Sequence, residues 1–229
     1  MSPLTCARLL ALWEQGAARH PLDRALLLFA QAAPELPVDR LADRPLGECH
    51  AALMRLRWRS FGSRLPLWLD CPSCGERLEF ELQADQLPAM QPPPERIEVA
   101  GRTYRCPTTR DLAHVADLGD TQAAARQLLQ ACADEPAPLE EARRGQVEAA
   151  MEDADPWADL SVAFQCPACG QDDQAGFDVA GYLWEEVEAR SRQLLDEVHL
   201  LAQAYGWSER DILSLSAARR SAYLARVAP

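Results

Sequence analysis

The chain has 229 residues, 48% hydrophobic and 25% charged, with a formal net charge of −12. That length can bury a sizeable core in one large domain or two small ones, and no apolar run is long enough to span a membrane. The acidic balance argues against general nucleic-acid binding, which needs a cationic surface to displace counterions.

The opening stretch MSPLTCARLLALWEQG has no basic leader and reads as a mature helix, which sets the expectation of a cytoplasmic protein. There thiols stay reduced, and paired cysteines more often hold metal than form disulfides. Leu9, Leu10, Leu12 and Trp13 cluster at helical spacing. HPLDRALLLFAQAA starts a second helix with Pro21 in its first turn, where a missing N–H costs nothing. After a connector over residues 34–45, a third helix is expected from about Leu46 to Arg59, carrying Ala52, Leu53, Leu56 and Trp58. Its tail, RLRWRSFGSR at 55–64, reads as the solvated face and end of a helix. As a functional alternative, its arginines would form a patch for an acidic protein partner.

The hydrophobic period then changes. LPLWLD and RLEFEL alternate on either side of Cys71-Pro-Ser-Cys74-Gly75, which predicts strand, knuckle, strand. After LPAMQPPPE, RIEVAGRTYRCP forms a second hairpin turning at Ala100-Gly101. Helices are expected from Thr108–Asp111, over Thr121–Ala133 and over Leu139–Met151, with DEPAP breaking the run. DLSVAFQ is a strand leading into Cys166-Pro-Ala-Cys169-Gly170, with AGFDV as the returning strand. A long helix follows from Tyr182 to Tyr205, with Leu183, Val187, Leu194, Val198, Leu201 and Tyr205 on one stripe. Glu185, Glu186 and Glu188 crowd its first turns, where negative charge suits the helix dipole. Gly206 ends it, Ser208 with Asp211 caps a short helix, and SAARRSAYLARV is the last helix.

The two CPxCG corners carry the chemistry. LWLDCPSCGERLEF and VAFQCPACGQDDQAGF align as strand, knuckle, polar turn and strand, with Cys166 lying 95 residues after Cys71. Proline pre-sets one bend of such a knuckle, and glycine after the second cysteine takes positive φ without steric cost. One knuckle supplies two thiolates; a closed structural zinc site needs four. The expected ligands are Cys71, Cys74, Cys166 and Cys169, in a zinc ribbon whose halves are separated by a long insertion. Rubredoxin-like iron sites use similar knuckles, so zinc is the expected metal with iron left open.

The rival reading is CPxC redox chemistry, which needs a thiol at a helix N-terminus within a βαβ frame; neither follows these motifs. Cys6, Cys49, Cys106 and Cys132 read as small buried hydrophobes. Cys49 and His50 diverge by about 100° on a helix and cannot easily face each other; His20, His114 and His199 stand alone. No catalytic residues are assigned. The closing YGWSERDILSLSAARRSAYL has a helix–turn–helix cadence, for which a protein-packing or partner-docking pair is the better account than DNA reading. Trp207 and Tyr223 would anchor a partner, with Arg219 and Arg220 as a charged rim.

LWEQGAARHPLDRALLLFA, CPSCGERLEF, PTTRDL, CPACG and EVHLLAQAYGWSERDILSLSAARRSAYL together resemble the baseplate hub assembly proteins (assembly chaperones) of T-even-type contractile phages and phage-tail-like injection systems. The resemblance implies a role in assembling or forming the baseplate, baseplate or hub proteins as partners, and incorporation in a phage-like particle as an alternative to a free cytoplasmic protein. The expected fold is α+β: a mainly helical protein with a zinc-ribbon-like β-hairpin module. Its regions are an N-terminal helical region (1–62), the β module (63–180, helical insertion about 108–155) and a C-terminal helical region (181–229). The competing functions are a CPxC thiol-disulfide oxidoreductase and a zinc-ribbon nucleic-acid-binding regulator. Neither membrane nor nucleic acid is an expected partner.

Overall fold

The computed structural model describes residues 2–135 and 141–227. Its architecture is α+β, with helices surrounding small antiparallel hairpins. Three N-terminal helices, α1 (Cys6–Gly16), α2 (Pro21–Ala32) and α3 (Leu46–Phe61), pack with the long C-terminal α7 (Val179–Tyr205) around one core. Leu9, Leu12, Leu28, Phe29, Leu53 and Leu56 meet Leu183, Val187 and Leu194 there, all buried. Local signals place the helix starts. Thr5 Oγ1 accepts from Arg8 N at 3.3 Å, and Pro21 sits in the first turn of α2 behind His20, whose Nδ1 accepts from Leu22 N.

Helix α7 begins at Val179, three residues before the predicted start, because Asp178 is its N-cap: Oδ1 accepts from Gly181 N at 2.9 Å. Its buried stripe is Val179, Leu183, Trp184, Val187, Ser191, Leu194 and Leu201. Val198 is only half-buried and Tyr205 is exposed, so the predicted stripe fades toward the C-terminal end. Trp184 fills the space beside Gly16, where a Cβ would come within 2.3 Å of its ring, and Arg24 stacks over the same ring. Small size at Gly16 is therefore a packing requirement.

Among the described residues the strands form three two-stranded antiparallel sheets, none hydrogen-bonded to another. β1 (Leu65–Asp70) pairs β2 (Arg77–Leu82), with Leu65 opposite Leu82 and Asp70 opposite Arg77. β3 (Ile97–Val99) pairs β4 (Arg102–Tyr104) through Ala100 and Gly101, both at positive φ, as a two-residue primed turn requires. β5 (Ser161–Gln165) pairs β6 (Asp172–Gly176). The last strand is not AGFDV as predicted. The knuckle fixes Gln165 opposite Asp172, so pairing starts at once with the polar residues, while Asp178 caps α7 and Val179 begins it.

The insertion holds α4 (Thr109–Val115), α5 (Thr121–Cys132) and α6 (Glu141–Ala154). Residues 136–139, in the predicted break and helix start, lie outside the described residues. A second small core joins Tyr104, Leu129, Cys132, Val147 and Met151. Thr108 and Asp111 form the capping box of α4, and Arg105 clamps Asp111 through both guanidinium nitrogens at 2.6 and 2.8 Å.

In the arginine run at 55–64, Arg55, Arg59 and Arg64 are exposed as expected, and Arg57 departs from the solvated face. Arg57 is 3% exposed, pairs with Glu186 of α7 through two bonds at 2.9 and 2.7 Å, and donates to Gly62 O at 2.6 Å. Arg64 pairs with Glu81, and Arg55 donates to Met90 O. Arg57 thus joins α3 to α7 and to its own C-terminal turn, so it cannot contribute to a partner patch.

The C-terminal α8 (Glu209–Ser214) and α9 (Ala217–Val227) fold back onto α7. Ser208 caps α8 as expected. Trp207, Tyr223 and Tyr205 form one aromatic cluster, with centroids 4.7 to 5.6 Å apart. Arg220 is not a rim residue: it is 1% exposed and bonded to Glu197, which also pairs with Arg190. No helix of the described residues is long and apolar enough to cross a membrane.

Candidate metal centre

The two knuckles adopt the same backbone geometry. In the first, Cys71 N donates to Glu76 O and Gly75 N to Cys71 O, both at 2.8 Å; in the second, Cys166 N donates to Gln171 O and Gly170 N to Cys166 O at the same distance. Gly75 at φ 76° and Gly170 at φ 74° make the expected left-handed turn. The last strand pair below each knuckle is closed by side chains at equivalent places: Arg77 to Asp70 at 3.0 Å, and Gln165 to Asp172 at 3.0 Å.

The structure brings together all four predicted cysteines. The Sγ atoms of Cys71, Cys74, Cys166 and Cys169 lie within 4.8 Å of one another. Across the knuckles, Cys71 is 3.8 Å from Cys169 and Cys74 is 3.6 Å from Cys166. A tetrahedron of sulfurs about 2.3 Å from a zinc ion has edges of about 3.8 Å, so the thiols need little rearrangement to close on one. Each knuckle contributes one inner and one outer sulfur. Cys71 and Cys166 are buried against Leu69, Leu78 and Phe164, whereas Cys74 and Cys169 are exposed.

The electrostatics suit a cation. The amides of Cys169 and Ala168 pull the Cys166 thiol down to about 7. Cys74 receives the amide of Glu76, yet desolvation and the neighbouring thiols push it up to about 12. Without a cation the cluster cannot ionise throughout; a divalent metal removes that penalty and deprotonates its thiols outright.

Residues distant in sequence set the second hairpin beside the first. Pro45 gives α3 no side-chain cap; instead Asp155, at the end of the insertion, accepts from Gly47 N at 3.0 Å. The fit is tight, since a Cβ on Gly47 would lie 1.6 Å from Asp155 Oδ1. Two residues later, Trp157 O accepts from His50 Nδ1 at 2.9 Å, and Trp157 Nε1 donates to Pro88 O at 3.1 Å. Asp155 and Trp157 therefore fasten the approach to β5. Sequence reasoning missed both, because a cap contributed from 108 residues away leaves no local signature.

The other cysteines are not brought to the centre. Cys49, Cys106 and Cys132 are buried, and Cys6 is half-buried. Desolvation pushes Cys49 and Cys132 up to about 12 and Cys106 up to about 11, so all three are neutral thiols at physiological pH. His50 turns its Nδ1 to Trp157 O and not toward Cys49. No family model matches the chain, and neither does any curated protein or solved structure.

Proposed function

We propose that the chain is a non-enzymatic zinc-binding protein that assists assembly of, or forms part of, the baseplate of a contractile phage tail or phage-tail-like injection system. One structural zinc ion held by Cys71, Cys74, Cys166 and Cys169 would join the two hairpins as a zinc-ribbon-like module. The observation that carries the metal reading is the convergence of four thiols to within 4.8 Å from two knuckles of identical backbone geometry. The metal supplies a cross-link between hairpins that share no ladder hydrogen bond. The neutral, buried state of Cys49, Cys106 and Cys132 supports a binding role over thiol catalysis. The baseplate setting rests on the sequence resemblance and on a strongly acidic chain suited to holding another protein.

Elemental analysis of purified protein tests the centre. About one zinc per chain is expected, with none retained in the Cys71→Ser/Cys166→Ser variant. Iron in its place would change the metal assignment. No metal, or disulfide reductase activity in metal-loaded protein, would overturn the reading in favour of an oxidoreductase. Affinity capture from cells expressing the whole gene cluster tests the setting: baseplate proteins should be recovered, and their absence would refute it.

A further inference from the structure

Exposed strand edges invite pairing, and proteins usually blunt them with proline or charge. Among the described residues β1 carries Pro66 and Asp70, β2 Arg77, Glu79 and Glu81, β3 Glu98, β4 Arg102, and β6 Asp172 and Asp173. Only β5, Ser-Val-Ala-Phe-Gln, has neither device.

One edge of β5 is taken by β6. Leu160 O accepts from Phe177 N at 2.7 Å, and Cys166 N donates to Gln171 O at 2.8 Å. An antiparallel ladder engages every second residue, so Val162 and Phe164 continue this side. The backbone N–H and C=O groups of Ser161, Ala163 and Gln165 then face away from β6, and no other strand pairs with them. A groove of about 570 Å³ adjoins the first half of β5, bordered by four consecutive residues, 160–163. Consecutive strand side chains point to opposite faces. The groove therefore reaches Ser161 and Ala163 of the free edge, and Phe177 and Leu82 close its other side. Leu87, Pro88 and Pro156 form apolar wall, and Glu152 and Asp159 add negative charge with no arginine in the lining. Neither carboxylate is ion-paired among the described residues.

We propose that the free edge of β5 is a strand-addition site for an extended, cationic segment of a partner protein. Backbone hydrogen bonds to Ser161, Ala163 and Gln165 would supply affinity, and Glu152 and Asp159 would select basic side chains. A second copy of this chain is a poor occupant, because symmetric pairing would set the same carboxylates and a net charge of −12 against themselves. The site rests on the reading of the chain as a protein-binding module, but not on the metal or the baseplate setting.

The test uses the full chain and a labelled octapeptide of alternating arginine and valine, with binding followed by anisotropy and backbone amide exchange. Binding should protect the Ser161, Ala163 and Gln165 amides. Ala163→Pro, which removes one edge donor, should weaken it by about tenfold, and Glu152→Arg/Asp159→Arg should weaken it similarly. Should Ala163→Pro misfold, the backbone N-methylated octapeptide, equal in charge but lacking edge donors, should fail to bind. Equal binding of the methylated peptide or of a glutamate–valine peptide overturns the proposal. So does binding without protection of those amides, or self-association that occupies the edge. Metal content measured on the same samples separates failures: folded, metal-bearing protein that ignores the peptide refutes this site alone, while peptide binding by metal-free protein refutes only the metal.

Discussion

Replacing Glu186 by glutamine tests whether a buried charge pair ties α3 to α7. Arg57 is 3% exposed; the substitution leaves it one neutral acceptor in place of a carboxylate, together with Gly62 O at 2.6 Å and the Tyr182 ring 5.6 Å away. Stranding one partner of a buried pair costs about 3–5 kcal/mol. The Glu186 side chain is itself 23% exposed, so water can relax the site and the low end applies, about 3 kcal/mol. An unfolding entropy of about 2.1 cal/mol/K per residue converts that to a fall of roughly 6 °C in melting temperature for a chain of 229 residues. The Arg57→Met change strands the more hydrated partner and should cost less, about 1–2 kcal/mol. Arg57→Met/Glu186→Gln should recover much of the sum, because neither charge is then left alone. Thermal and urea unfolding of the four proteins closes the cycle, and 1 M salt should change the coupling little, since buried pairs are poorly screened. A loss below about 1 kcal/mol for Glu186→Gln, or strict additivity of the two single changes, would refute the buried-tie argument.

Gly47→Ala should displace Asp155 from the start of α3 and destabilise the protein by roughly 2–3 kcal/mol; metal retention against a chelator should fall with it, whereas unchanged retention would uncouple this cap from the knuckles. Truncation after Gly206 removes buried Ile212 and Arg220 and leaves Glu197 with Arg190 as its remaining partner, so the shortened chain should melt earlier and lose solubility; undiminished stability would make α8 and α9 a detachable docking element instead. Burial alone would raise the Asp111 carboxyl, but the Arg105 guanidinium and the Thr108 donors outweigh it and hold the carboxyl below its ordinary value. Its stabilisation is present above the unfolded value of about 4 and lost as pH falls through the lower folded value, so Asp111→Asn should flatten the acid limb of the stability–pH curve; an unchanged limb would refute the assignment.

What could be read from the sequence was what repeats locally. Each knuckle declares itself within five residues, and the match between two of them was enough to nominate four ligands. Helix starts with a nearby cap, such as Thr108 with Asp111 and Ser208 with Asp211, were equally legible. Two of the errors share a cause in long-range partners. Arg57 lies in a run that looks solvated, and only Glu186, 129 residues on, makes it a core residue. Arg220 on its amphipathic helix looked like a rim and is buried by Glu197. The last strand was misplaced because AGFDV is the apolar choice, whereas the register is dictated by the knuckle and admits Asp172 and Asp173.

The separation of the two half-sites has a consequence for synthesis. The second knuckle follows the first by 95 residues, which at about 5–20 residues per second takes roughly 5–20 s on the ribosome. During that interval Cys71 and Cys74 form a two-thiol corner with neither opposing knuckle nor α7 made. A metal ion gripped there would be held by half a coordination shell and remain exchangeable, so the identity of an ion taken up by the proposed centre would be settled only after Cys169 emerges. With the proposed metal, the order of translation would give this nascent chain a late commitment step, and a ribosome stalled within the insertion would display an open, two-thiol chelate in place of the four-thiol centre.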